Sequence, residues 1–319
     1  MILKNTKNKF VSVSLVAFLV FSTFAGIGFV SSQPITENHS GIVNAQTGDE
    51  NVMYMATIQP GEIRAVNKST QNEIWVNGDF RYPTTIQVSP DGSLIFAGGN
   101  DDYVGAIYAN NGTTKWQISQ EAAEVSVSPD GKTIHVATDN GDRVLALNAT
   151  DGTEKWSFNV QGPYAIDTGP NGYIYAGLRS GGVVKITPDG NQEWVKNIDN
   201  QRIWDISVSN DGESVYSGSQ NYINALDTSN GDLKWQKSET NIQSVVGKAI
   251  YATNGYVYAS GGDVNEYESR DIWKISESGT VEWRYTKDSD EVTFKGSIAV
   301  DSSEVYTGLK GGSGGEIIH

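Results

Sequence analysis

The chain has 319 residues, with 35 glycines, 8 prolines, no cysteine and a formal net charge of −15. This composition excludes a disulfide framework, thiolate metal sites, a cysteine nucleophile and a lipidated cysteine anchor. The acidic balance opposes binding to phosphate backbones, so nucleic acid is not an expected partner, and the glycine content reads as a turn-rich globular chain.

Lys4, Lys7 and Lys9 precede an uncharged, mostly apolar run from Phe10 to Ser32, the order of a charged n-region followed by an apolar h-region. Residues 1–32 therefore read as a signal peptide cleaved after Ala25 or Ser32. The 20 residues from Val11 to Val30 also have the length of a bilayer span, so an uncleaved membrane anchor is the second reading. In both cases the remainder is expected outside the cytoplasm, extracellular or at the cell surface, and meets a membrane only through this segment. Residues 33–40 read as a linker or a closing strand, and residues 41–319 as one domain.

The domain opens with GIVNAQ from Gly41 and NVMYMAT from Asn51, followed by EIRAVN and NEIWV. A period then becomes visible. Trp75, Trp116, Trp156, Trp194, Trp235 and Trp283 are spaced by 41, 40, 38, 41 and 48 residues, the length of a four-stranded propeller blade. Each Trp ends an eleven-residue phrase such as ALNATDGTEKW from Ala146 or ALDTSNGDLKW from Ala225. In four of these phrases Gly stands four places before Trp and follows an Asn or Asp, which places a hairpin turn with positive φ between an apolar strand and the Trp strand.

A second phrase precedes each Trp by about 25 residues, as in IQVSPDGSLIFAGG from Ile86, VSVSPDGKTIHVAT from Val125 and ISVSNDGESVYSGS from Ile206. Apolar and polar residues alternate on both sides of its turn, the signature of a hairpin. The two phrases together give four strands per unit: inner strand a, then b, c and a Trp-bearing outer strand d. The last unit supplies only GSIAVD, EVYTGL and GEIIH. Residues 41–319 divided at about 40 per unit give an all-β, seven-bladed propeller of four-stranded antiparallel blades with an incomplete last blade.

The pattern A-x-D-x-x-T-G-x-x-x-W, seen best at Ala225, Asp227, Gly231 and Trp235, resembles the tryptophan-docking repeat of pyrroloquinoline-quinone-type propellers, and the SPDG hairpins resemble those of WD-type repeats. The resemblance spans residues 41–319. It implies that Trp75, Trp116, Trp156, Trp194, Trp235 and Trp283 dock between neighbouring blades against the Ala and the Gly turn. Quinone-dependent members are larger, eight-bladed and carry an adjacent cysteine pair, so no pyrroloquinoline quinone is expected here.

Two further patterns bear on chemistry. Glu124, Asp167 and Asp205 stand near the starts of three consecutive inner strands; they either converge on a central calcium, as in lactonase-like propeller hydrolases, or are polar groups of the channel. His39, His135 and His319 have no zinc spacing. Strand alternation brings the d–a and b–c loops to one end of the propeller, where loops on a rigid scaffold carry recognition. Tyr82, Tyr164, Arg202 and Trp204 stand in d–a loops, and Arg179, Tyr222 and Tyr267 in b–c loops; aromatic and Arg residues are the types enriched at binding hot spots. The 48-residue interval is accounted for by a long b–c loop from Gly261 to Asp271. The expected function is a rigid binding scaffold for a protein or glycan partner, with two alternatives: the calcium-dependent hydrolase, and an envelope assembly scaffold resembling the quinoprotein-like propeller of outer-membrane assembly machinery.

Overall fold

The computed structural model describes residues 42–47, 51–57, 61–70, 72–99, 103–138, 140–219, 222–238, 250–253, 255–263, 268–286, 293–301, 304–310 and 315–318. The leader, the linker over residues 33–40, and Tyr267 lie outside the described residues. Among those residues every regular element is a β-strand, and no helix is long and apolar enough to cross a membrane.

Five sheets are four-stranded antiparallel meanders. The first holds β1 (Ile42–Thr47), β2 (Val52–Thr57), β3 (Glu62–Asn67) and β4 (Glu73–Asn77). The second holds β5 (Pro83–Val88), β6 (Leu94–Gly99), β7 (Tyr103–Tyr108) and β8 (Thr114–Ser119). The third holds β9 (Glu124–Val127), β10 (Thr133–Ala137), β11 (Arg143–Asn148) and β12 (Glu154–Asn159). The fourth holds β13 (Pro163–Thr168), β14 (Ile174–Leu178), β15 (Gly182–Ile186) and β16 (Gln192–Asn197). The fifth holds β17 (Ile203–Val208), β18 (Ser214–Ser219), β19 (Ile223–Asp227) and β20 (Leu233–Lys237). The sixth is a seven-stranded sheet of β21 (Ile250–Thr253), β22 (Tyr256–Asp263), β23 (Glu268–Ser276), β24 (Val281–Thr286), β25 (Thr293–Asp301), β26 (Glu304–Lys310) and β27 (Gly315–Ile318).

The expectation of seven separate blades is thus corrected to six sheets. The stretch that the repeat divides into a sixth and a seventh unit is one sheet, because β22 and β23 stay paired past the usual blade length, out to Asp263↔Glu268. That extension brings Ser269 into register with Phe294 of the equally long β25. The expected b–c loop from Gly261 to Asp271 is therefore largely hairpin. Around the ring, the inner strands β1, β5, β9, β13, β17, β21 and β25 are neighbours in that order, and β25 adjoins β1, so the first and last sheets meet.

The turns explain the inner hairpins. In the second sheet Ser89 Oγ donates to Asp91 Oδ1 at 2.6 Å, Leu94 N–H donates to Ser89 Oγ at 2.9 Å, and Gly92 N–H donates to Ser89 O at 2.8 Å. The Ser128–Asp130 and Ser209–Asp211 turns repeat the arrangement. Short polar side chains that bond the local backbone specify such turns.

Apolar burial lies between sheets rather than within one. Tyr54, Ile63 and Trp75 of the first sheet pack with Ile86, Ile95 and Ile107 of the second, and like layers follow around the ring. Five of these junctions are closed by an indole. Trp75, Trp116, Trp156, Trp194 and Trp235 donate Nε1–H to the carbonyls of Ala109, Ala149, Pro188, Thr228 and Glu277 in the following sheet, at 2.7–3.1 Å. Beneath each ring lies a glycine of the same turn. At Gly112 (φ +73°), an added Cβ would stand 2.5 Å from Trp75 Cε3, so only glycine fits. Trp283 instead packs in the seven-stranded sheet, 6.2 Å from Tyr258 between ring centroids.

Candidate functional site

Four of the expected binding residues come together at the end of the propeller where inner strands begin. Tyr164 and Trp204 are the second residues of β13 and β17, and each sits where the pairing register slips, between Pro163 and Ala165 and between Ile203 and Asp205. A β-bulge of this kind re-aims the extra residue out of the regular alternation. As a result two aromatic side chains 40 positions apart meet edge to face, with ring centroids 5.6 Å apart at 90°.

Two guanidinium groups complete the cluster. Arg202 Cζ lies 4.9 Å from the Tyr164 centroid and 4.5 Å from that of Trp204, and Arg179 Cζ lies 5.1 Å from Tyr164. All four residues are half-buried. Cation–π contacts of this geometry contribute roughly 0.5–2 kcal/mol each, more as water is excluded. Burial, followed by the neighbouring Arg202 charge, pulls the Arg179 guanidinium below its ordinary value, and burial holds the Tyr164 hydroxyl above its own.

The loops beneath are fixed by backbone bonds. Arg179 N–H donates to Gly162 O at 2.8 Å, and Gly162 N–H donates to Asp142 Oδ1 at 2.8 Å. Gly162 adopts φ +60°, and the Arg179 stem rests where its Cβ would be, with Cβ, Cγ and Cδ all within 3.4 Å of that position. Gly162 and Asp142 support the cluster but escaped sequence reasoning; the glycine just before an inner strand was the available signal.

The remaining candidates are placed differently. Tyr82 stands on the same end, 42% exposed, in a left-handed conformation (φ 43°) that a tyrosine adopts only under constraint. Tyr222 lies in the β18–β19 turn, and its carbonyl accepts Ser219 N–H at 2.9 Å. Among the described residues, no ring contact joins either to the cluster.

Glu124, Asp167 and Asp205 face the next inner strand rather than a common centre. Glu124 Oε2 accepts Ile166 N–H at 2.9 Å, Asp167 Oδ2 accepts Val208 N–H at 2.8 Å, and Asp205 Oδ2 accepts Ile250 N–H at 2.7 Å. Each carboxylate clips its sheet to the following one. Among the described residues, no group of three or more His, Asp or Glu side chains is placed to hold a metal. Asp167 is half-buried, and desolvation of its carboxyl pushes it up to about 7, with the two backbone donors pulling the other way and Glu124 adding to the rise.

His135, expected as an isolated histidine, is part of the same junction. It lies in the b-strand column otherwise held by Tyr54, Phe96, Tyr175 and Tyr216, and stacks on Trp156 at 5.8 Å. Its Nδ1 is 2.8 Å from Thr168 Oγ1, which Ser126 Oγ also contacts at 3.0 Å.

Comparison with known proteins gives one family. The sequence matches the family described as outer membrane protein assembly factor BamB over residues 59–259 and 179–317. Among solved structures, BamB from Moraxella catarrhalis is similar with a TM-score of 0.59 at 16% identity, covering 83% of each chain. The Cps50 (Swd1) β-propeller domain of Myceliophteria thermophila is similar with a TM-score of 0.72 at 13% identity, covering 89% of this chain and 96% of that one. No curated protein matches the sequence.

Proposed function

We propose, from the premise that this chain belongs to the BamB family of β-propellers, that it is a rigid protein-binding scaffold of the assembly-factor kind, acting outside the cytoplasm. The family description names assembly, and the leader reading of residues 1–32 supplies the export. The observation that carries the reading is the convergence of Tyr164, Arg202 and Trp204 from two adjoining sheets onto one end. Two bulges, a left-handed glycine and the inter-sheet clips hold these side chains before any partner arrives. Such preorganisation reduces the ordering cost of association.

Photo-crosslinking tests this. A photoreactive residue at exposed Ser180 or Asn200, beside the cluster, is expected to give a discrete adduct with an envelope polypeptide. The same residue at exposed Asp151 or Asp189, on the opposite end, is expected to give none. Equal adducts from both ends, or none from either, would refute the proposal.

A further inference from the structure

Building on the reading of this end as a protein-binding surface, we infer that Arg202 is the anchor for a carboxylate and that the partner offers it an acidic polypeptide segment. Arg202 is set in the corner between two perpendicular rings, with its Cζ over each of them. Cation–π contact of that kind does not consume the N–H donors, and the planar fork they form matches a carboxylate with two parallel bonds.

The charge around Arg202 points the same way. Arg64 pairs with Glu62 and Glu73, and Arg284 pairs with Asp271 through two bonds. Among the described residues, Arg202 has no carboxylate within ion-pairing distance, although the chain carries a net charge of −15. A second guanidinium, that of Arg179, lies over the same Tyr164 ring. Two like charges sharing one ring repel, and an anion arriving between them relieves that repulsion.

A peptide suits the site better than a glycan, because the rings flanking Arg202 offer apolar surface to the methylenes beside a Glu or Asp carboxylate.

The experiment is a titration of the whole protein with fluorescently labelled hexaglutamate, read by anisotropy, with hexaglutamine and polygalacturonate as comparisons. Hexaglutamate is expected to bind in a salt-dependent manner, about tenfold or more tighter than hexaglutamine, and Arg202→Gln to remove that advantage. Because Arg202→Gln also loses stacking, Asn200→Asp provides a second test: it adds an acid at an exposed position two residues away and is expected to weaken hexaglutamate binding without lowering Tm. Equal affinity for hexaglutamine, or no response to either substitution, overturns the carboxylate anchor. Preferential binding of polygalacturonate overturns the peptide assignment. If the crosslinks of the preceding subsection form while hexaglutamate fails to bind, the scaffold stands and this inference falls; if both fail, both fall.

Discussion

Trp75 of the first sheet donates its indole N–H to the carbonyl of Ala109 in the second at 2.9 Å, and its ring lies over Gly112. Two effects forbid a side chain there: the left-handed backbone and the absence of space beneath the indole. Gly92 separates them, since it has nearly the same φ (+70°) with nothing within 4 Å of an added Cβ. Gly92→Ala is expected to cost about 1 kcal/mol from backbone strain alone. Gly112→Ala is expected to cost about 3 kcal/mol, because it also lifts the indole from its acceptor. Urea melts of both variants check the difference, and equal losses would show that the indole contact adds nothing.

The carboxylate clips make a separate prediction. Glu124→Ala leaves the buried Ile166 N–H without its acceptor, which costs about 1–3 kcal/mol. Glu124→Gln keeps one acceptor oxygen and should lose less. Hydrogen exchange at the Ile166 amide is the direct reading: it should accelerate in the alanine variant well before the amides of β11 do.

Acid should expose His135. Burial holds its imidazole down to about 3, against an ordinary value of 6.5. The unfolded chain therefore takes up a proton that the folded chain refuses, and stability is lost as pH falls from about 6.5 toward 3. Asp167 has the opposite sign. Its carboxyl is pushed up to about 7 from 3.8, so its contribution is present at low pH and is lost as pH rises from about 4 through 7. The two slopes oppose each other between roughly pH 4 and 6.5. His135→Phe places at this position the residue found at Phe96 and removes one slope. Relative to the wild type, this variant should gain up to about 1.4 kcal/mol per pH unit below pH 6. A difference that stays constant with pH would refute the assignment.

The Tyr164 ring carries both arginines by its faces, and its hydroxyl takes no part in those contacts. Tyr164→Phe should therefore leave stability within about 0.5 kcal/mol, while Tyr164→Ala should cost about 1–3 kcal/mol. Chemical denaturation of the two variants distinguishes ring stacking from a role of the phenol oxygen.

Much of this fold was legible in the sequence because its periodic parts are local. The SPDG turns, the glycine four places before Trp116, Trp156, Trp194, Trp235 and Trp283, and the alternation of the inner strands all act over fewer than a dozen residues. The seven-stranded sheet was not legible in the same way. Its extra pairing joins Ser269 to Phe294 through hairpin residues that lie outside the period, and nothing in the spacing distinguishes an extended hairpin from a long loop. The acids were found at the right strands but were given an open choice between a shared cation and the channel. Their actual partners are backbone N–H groups, which every residue but proline offers, so composition could not single them out. The cluster was half visible: residue types named its members, while the bulges that turn Tyr164 and Trp204 toward each other have no marker in the chain.

Every fastening described between sheets runs in one sense. The indole of one sheet finds its acceptor in the next, and the carboxylates of Glu124, Asp167 and Asp205 likewise reach forward along the sequence. During synthesis, when the chain emerges from its amino end, a newly made sheet is thus left with open latches that only its successor can shut. Assembly of the wheel acquires a direction, and an interruption at any point strands the sheet before it as well as those still to come.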